Sequence, residues 1–182
     1  QKAGADLWHM RNRMNSPGFY LAIEVPDFPT AFMRQQRLPK NSWIEIAADS
    51  KRFYDESLPY GSTHYKTKMH GNYFDALHQW VGPVHMILDE SVRRDGGPLV
   101  REHGWNNVVK KYHWSKDNSV EVEKGWLLKA GSIAELADKM GRDRGEVEKT
   151  VTEFNKSCET GHDPLFNRDP LTLKPIITPP FY

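Results

Sequence analysis

The sequence is poor in the features that usually announce a function. It has one cysteine, Cys158, in 182 residues, which excludes an internal disulfide and any multi-cysteine metal or iron–sulfur site and fits a reducing compartment. Neither sign of charge is in excess. The 25 Lys and Arg against 24 Asp and Glu leave a net +1, scattered along the chain, so there is no concentrated basic stripe and nucleic acid is not expected as a partner. No apolar run approaches the roughly 20 residues of a membrane helix, and no charged-then-apolar leader opens the chain. The expectation is a soluble, cytoplasmic protein with no membrane span.

Three signatures of nucleotide and hydrolase chemistry are missing as well: Gly-x-Gly-x-x-Gly, the phosphate loop and the Gly-x-Ser-x-Gly elbow. A self-contained nucleotide enzyme or an α/β hydrolase is therefore disfavoured. Among the eight histidines, His64, His70, His78 and His85 never stand three or four apart, so no helical zinc pair is presented and no metal site is expected.

What is present is enough apolar content, 38%, to bury one ordinary core, and a heavy aromatic load of six Trp, seven Tyr and eight Phe in a chain that is otherwise polar. One compact domain is the expectation. Aromatic rings fill cores and line ligand pockets alike, so composition leaves both uses open.

Along the chain, strands and helices alternate without the regular beat of a doubly wound sheet, which predicts an α+β fold with a small mixed sheet and flanking helices. Residues 1–14 place Leu7, Met10 and Met14 at helical spacing, but without a convincing cap. Residues 18–25 read as a strand closed by Pro26, and Pro29 and Pro39 punctuate a loop after it. Trp43-Ile44-Glu45-Ile46 alternates as a second strand; Asp49-Ser50 supplies a turn, and Arg52-Phe53-Tyr54 returns as the other arm of a hairpin. In residues 65–80, Met69, Tyr73, Leu77 and Trp80 fall near one helical face, and residues 84–88 form a buried strand. Residues 93–104 read as an exposed excursion, and 115–119 as a second polar loop.

The last third is the most legible. Ser132 with Glu135 makes a capping box, followed by Ile133, Leu136, Ala137 and Met140 on one face and a stop at Gly141. Asp143 with Glu146 opens another helix, whose Val147, Val151, Phe154 and Cys158 share a stripe before Gly161. On that stripe Cys158 reads as a small buried hydrophobe, not a nucleophile. Asp89 and Glu90 at a strand end could act as acid and base, but adjacent carboxylates there read more simply as solvated caps.

Several segments taken in order carry a resemblance. Residues Ala3-Gly4-Ala5-Asp6-Leu7-Trp8-His9-Met10, then Lys51-Arg52-Phe53-Tyr54-Asp55-Glu56-Ser57-Leu58-Pro59-Tyr60, then Gly125-Trp126-Leu127-Leu128-Lys129-Ala130, the two capped helices, and Gly161-His162-Asp163-Pro164-Leu165-Phe166-Asn167-Arg168 resemble the FAD-dependent fumarate reductase and 3-ketosteroid Δ1-dehydrogenase superfamily. The chain departs from that pattern at Ser50 and Asn167, where the family usually has Gly, and at Asp55, where it usually has Asn. Asn tolerates the left-handed backbone that a glycine at such a position implies.

The resemblance covers only the family's inserted substrate-capping domain. It implies that residues 1–182 are this one domain, with residues 1–14 and 178–182 as linker ends toward a missing FAD-binding domain of the same chain. FAD would belong to the full-length parent, and no residue of this fragment would bind it. The implied activity is an oxidoreductase acting on CH–CH bonds, introducing or reducing a C=C bond next to a ketone, on an apolar ketone or steroid, with the fragment inactive alone. Tyr60 is similar in position to the catalytic tyrosine of the ketosteroid dehydrogenases, where fumarate reductases carry an arginine; His64 would assist. A tyrosine cannot clamp a dicarboxylate, whereas a phenolate beside a ketone-activated carbon can accept a proton. The alternatives are a fumarate/succinate-type reductase domain, a freestanding module for a hydrophobic ligand and, last, a metal-dependent hydrolase.

Overall fold

A computed structural model describes residues 43–57, 84–96 and 115–182, together with the backbone of four strands at 19–23, 32–36, 66–69 and 72–75. In chain order the described elements are β1 (Phe19–Ile23), β2 (Phe32–Gln36), β3 (Ile44–Ile46), β4 (Lys66–Met69), β5 (Asn72–Asp75), β6 (His85–Ile87), α1 (Glu90–Gly96), α2 (Ser119–Glu123), α3 (Ile133–Met140) and α4 (Arg144–Thr160), with a 3-10 turn at Pro170–Thr172. Helices and short strands coexist, as the α+β expectation requires. Among the described residues, however, the strands pair as three antiparallel two-stranded sheets, β1–β2, β3–β6 and β4–β5, and not as one mixed sheet.

The core gathers where β3, β6 and the helix pair meet. Ile44, Ile46 and Ile87 pack with Leu136 and Ala137 of α3, with Val147, Val151 and Phe154 of α4, and with Ile176 and Phe181. A smaller cluster joins Trp43, Leu88, Val92 and Tyr182. Both helices begin and end as their sequences imply. Ser132 Oγ accepts from the Glu135 amide at 3.1 Å and Asp143 Oδ1 from the Glu146 amide at 2.9 Å. Gly141 and Gly161 close the two helices in the left-handed region, at φ 65° and 68°, which a residue without a Cβ reaches at no steric cost.

The turn after β3 is tied down from both sides. The Ser50 amide donates to the Ala47 carbonyl and the Ala47 amide to the Lys51 carbonyl, each at 2.9 Å, while Thr150 Oγ1 of α4 donates to the Ser50 carbonyl at 2.8 Å. The hairpin expected across this turn is present only as a single bridge, Ile46 to Arg52; the ladder partner of β3 is β6. Glu45 also departs from simple alternation, because it is buried along with its neighbours. The chain's last residues join the same core. Ala130 and Phe181 exchange backbone bonds at 2.9 and 2.8 Å, and Leu88 and Tyr182 at 3.0 and 2.9 Å.

Three expectations are overturned. Residues 65–80 do not form one helix, since β4 and β5 make an antiparallel pair with Met69 opposite Asn72. The four-residue spacing of Met69, Tyr73 and Leu77 runs across Gly71, which weakens a helix, and Tyr73-Phe74 favours an extended chain. The segment between Pro29 and Pro39 contains β2, not only loop. The excursion expected from residue 93 starts inside α1, which extends to Gly96 because Asp89 Oδ1 caps it, accepting from the Ser91 amide at 3.0 Å and the Val92 amide at 3.3 Å. The helix expected over residues 1–14 lies outside the described residues, as do residues 97–104.

Candidate functional site

The motif segment from Lys51 to Ser57 is held by a buried network of two arginines and two carboxylates. Arg52 donates from Nε to Glu56 Oε1 at 2.9 Å and from Nη2 to Glu56 Oε2 at 2.6 Å, and the same Nη2 reaches Asp163 Oδ2 at 2.8 Å. Arg168 donates from Nη1 to Glu56 Oε2 at 3.1 Å and to the Trp43 carbonyl at 2.8 Å. The Glu45 amide completes the set on Glu56 Oε1 at 3.3 Å. Glu56 thus accepts four bonds, two on each oxygen, while fully buried. Two cations and two anions balance, and the guanidinium groups of Arg52 and Arg168 both lie over the Phe154 ring, at 5.1 and 5.2 Å.

Burial opposes the charge of Arg52, but its bonds to Glu56 and Asp163 more than offset that cost and raise its pKa. Burial pushes Asp163 upward too, yet Arg52 outweighs it and the carboxyl sits below its ordinary value. The segment continues to Ser57, whose amide and hydroxyl both donate to Asp55 Oδ1, at 2.8 and 2.6 Å, and whose Oγ accepts from the Asp169 amide at 3.1 Å. Tyr60 and His64, the site residues expected from sequence, lie just beyond it, outside the described residues.

Two of the three departures from the family pattern, Ser50 and Asn167, fall at left-handed backbone positions. Ser50 has φ 64° and Asn167 φ 53°, so both stand in the left-handed conformation that a glycine adopts freely.

Asp89 is a cap and Glu90 is not, and both are buried and not solvated as expected. Asp89 Oδ2 accepts from the Ile177 and Thr178 amides at 3.0 and 2.9 Å. Glu90 accepts from Arg93, from Arg94 Nε at 3.0 Å and from the Tyr182 hydroxyl at 2.7 Å. The bonds from Arg93 hold Glu90 down to about 2, and burial, then Glu90, pushes the Tyr182 phenol up to about 12. Glu90 stays ionised and Tyr182 protonated at neutral pH, so the pair is built for anchoring and not for proton exchange. Cys158 is half-buried, and burial pushes its thiol up to about 11, which suits the packing role read from its stripe.

A cleft of about 760 Å³ runs along α4 against residues 51–52 and 162–166, with Phe154, Leu165 and Phe166 on its apolar side. Its rim carries Glu146, Lys149, Glu153 and Lys156, whose three- and four-residue spacing makes an ordinary solvated helix face. A freestanding hydrophobic-ligand module needs an enclosed apolar pocket, and this cleft among the described residues is half open to solvent. Among the described residues no three His, Cys, Asp or Glu side chains are placed to hold a metal ion, and no helix is long and apolar enough to cross a membrane.

No protein-family model matches the chain. Over its whole length it is 26% identical to an NADH:acrylate oxidoreductase of Vibrio harveyi, of which it covers 15%. It is 28% identical, over 69% of its length, to a 4-oxocyclohex-2-ene-1-carboxylate 5-dehydrogenase of Sinomonas cyclohexanicum, of which it covers 19%. A urocanate reductase of Eggerthella lenta is 41% identical over 69 residues, 36% of this chain and 11% of that protein. Among solved structures, 91% of the chain matches 30% of a 3-ketosteroid delta1-dehydrogenase from Sterolibacterium denitrificans at a TM-score of 0.53 and 18% identity. A flavocytochrome c3 fumarate reductase matches over 93% of the chain and 24% of its own, at 0.54 and 15%. The chain is similar in sequence or in fold to members of the fumarate reductase and ketosteroid dehydrogenase superfamily. That superfamily is one of flavin-dependent oxidoreductases, and the chain spans less than a third of each relative and structure named above.

Sequence reasoning missed the role of the Arg52–Glu56–Asp163–Arg168 cluster, although each member lies inside a segment that carries the family resemblance. The four-residue spacing of Arg52 and Glu56 was the one local signal available. Nothing local pairs either of them with residues more than a hundred positions away.

Proposed function

We propose that this chain is the substrate-capping domain of a larger flavin-dependent oxidoreductase. The parent introduces or reduces a C=C bond next to a ketone in a cyclic, apolar substrate of the 3-ketosteroid kind. The observation that carries this reading is the likeness of more than nine-tenths of the chain to under a third of two flavin enzymes, together with a tyrosine at position 60. The relative from Sinomonas supports the cyclic-ketone part of this reading, since the molecule in its name is a cyclic enone that also carries a carboxylate.

The described residues do not suit FAD. The glycine-rich phosphate turn is missing from the sequence, and the N-termini of α3 and α4, where a pyrophosphate would find free amides, are taken by Ser132 and Asp143. FAD therefore belongs to the remainder of the parent, where it supplies hydride transfer. The task left to this chain is to cover the substrate, exclude water and move a proton on the neighbouring carbon. Tyr60 takes or gives that proton at its phenolic oxygen, with His64, four residues on, assisting. A cytoplasmic location accompanies this reading, and the isolated chain is inactive.

A fumarate-type reading needs a free cation to clamp a dicarboxylate. Position 60 lacks the arginine, and among the described residues of the motif segments Arg52 and Arg168 are committed to buried carboxylates and backbone. The ketone reading is therefore favoured. The test is to assay the full-length protein with an artificial electron acceptor against steroid, cyclic-ketone and dicarboxylate panels. Turnover of a 3-ketosteroid or cyclic ketone is expected, with kcat lowered about a hundredfold or more in Tyr60→Phe and KM within a few-fold, in the range that loss of a general acid–base group produces. Near-normal kcat in that variant would remove Tyr60 from the mechanism, and turnover of dicarboxylates alone would replace the substrate class.

A further inference from the structure

We propose that the exposed face of α4 is a self-association surface, on which a second copy of this chain docks antiparallel about a two-fold axis at the level of Val151. The face is a stripe of alternating charge, Glu146, Lys149, Glu153 and Lys156, on one wall of the cleft. Its members stand three, four and three residues apart, so on an α-helix they share a sector of about 80°. Lys149, Glu153 and Lys156 are exposed and Glu146 is half-buried. None of the four is in an ion pair with another described residue; the pairs Lys139–Glu135 and Arg144–Asp138 lie off the stripe.

In a single copy such a stripe is a solvated helix face, but the order of its charges suits a second copy. Glu146 and Lys156 lie five residues either side of Val151, and Lys149 and Glu153 lie two either side. An antiparallel two-fold exchanges positions equally far from its axis. It therefore sets Glu146 of each copy opposite Lys156 of the other and Lys149 opposite Glu153, four cross-helix pairs with no like charges opposed. A parallel, in-register pairing would oppose like charges at every position. The remainder of a longer chain would need its own matching stripe, whereas a second copy has one by symmetry. The stripe runs only about 15 Å along the helix, too little by itself for a stable interface. The other wall of the cleft adds apolar surface at the C-terminal end of α4, where Pro164, Leu165 and Phe166 line it and Leu165 is 62% exposed. Antiparallel pairing sets this end against the first turns of the other copy's helix and gives that leucine a place out of water. Exposed ion pairs contribute little each and are screened by salt, so the dimer is weak and salt-sensitive.

The test is sedimentation equilibrium of the full-length protein at about 50 mM and about 500 mM salt. A reversible dimer is expected, with an association constant roughly tenfold lower at the higher salt. The double variant Lys149→Glu with Lys156→Glu opposes like charges at all four contacts and should lower the association constant by about tenfold or more; Glu146→Lys with Glu153→Lys should do the same. Each double variant has lost its match with itself and gained one with the other, so mixing the two should restore a mixed dimer. Leu165→Asp should also weaken the dimer, while Leu171→Asp, at a leucine 86% exposed but outside the cleft, should leave it unchanged. All these positions are exposed or half-buried, and circular dichroism should show the parent fold in each variant. A full-length protein that stays monomeric at about 100 μM, where even a weak interface associates, would overturn the proposal. So would a dimer indifferent to the charge variants, or variants that form no mixed dimer, since another face would then do the pairing or another part of the parent would cover this one.

Discussion

Glu90 sits almost wholly buried between Arg93 and the Tyr182 phenol, with Arg94 at the rim. Its folded pKa of about 2 lies below the ordinary 4.5, so the folded state holds its proton less readily than the unfolded chain. The resulting stabilisation is present in full above about pH 4.5 and is lost as pH falls toward about 2. It amounts to about 2–3 kcal/mol. Acid titration of unfolding free energy should show this loss, and Glu90→Gln should remove it and lower stability at pH 7 by a similar amount. Tyr182 works in the opposite direction, its pKa raised from 10 to about 12, so its contribution holds at neutral pH and fades only in that alkaline window. Ser50 gives a second test at the same scale. Its φ of 64° costs a β-branched residue more than it costs serine, so Ser50→Val should lose about 1–2 kcal/mol, while Ser50→Gly should stay within about 0.5 kcal/mol of the parent. Denaturant midpoints would separate the two, and equal losses would mean that the Ser50 side chain matters more than its backbone.

At the scale of elements, α3 and α4 are the frame on which the motif segments rest. The pair is capped at both starts, and Phe154 of α4 lies under both arginines of the network, so order in the helices passes directly to residues 52–57. Ser132→Ala and Asp143→Ala should each cost about 1 kcal/mol. The two losses should add to within a few tenths of a kcal/mol, because each cap acts on its own helix terminus. Thermal unfolding monitored at the helical circular-dichroism band would measure both. These helices and caps were legible because their signals lie within four residues of one another: a side-chain oxygen, an amide three positions on, and a glycine at the stop. The β4–β5 pair was not legible for the converse reason. Met69, Tyr73 and Leu77 carry a helical period by coincidence of spacing, and cross-strand pairing decides the outcome instead.

At the scale of the whole molecule, this chain stands against much longer relatives, and the N-termini of α3 and α4 are capped by Ser132 and Asp143. The isolated chain should therefore take up no FAD, seen as unchanged flavin fluorescence on titration, while the full-length parent should purify with flavin absorbance. FAD bound tightly to the 182-residue chain would move the cofactor site into this domain. The last residues, Thr178 to Tyr182, are bonded into the core at Leu88, Glu90 and Ala130.

The sequence by itself determined the features whose physics is local. These are the capped helices, the apolar stripe that makes Cys158 a packing residue, the left-handed position at Asn167, and the family likeness that points to flavin chemistry. The tertiary structure alone decided the features whose energy depends on burial and on partners far along the chain. Asp89 and Glu90 changed from solvated caps to buried anchors because α1 and the chain end close over them. Arg52, Glu56, Asp163 and Arg168 became one network because the fold brings together residues 111 and 112 positions apart. In water each of these charges would be solvated separately; inside the core each must find its opposite, and only the folded chain determines which one it finds.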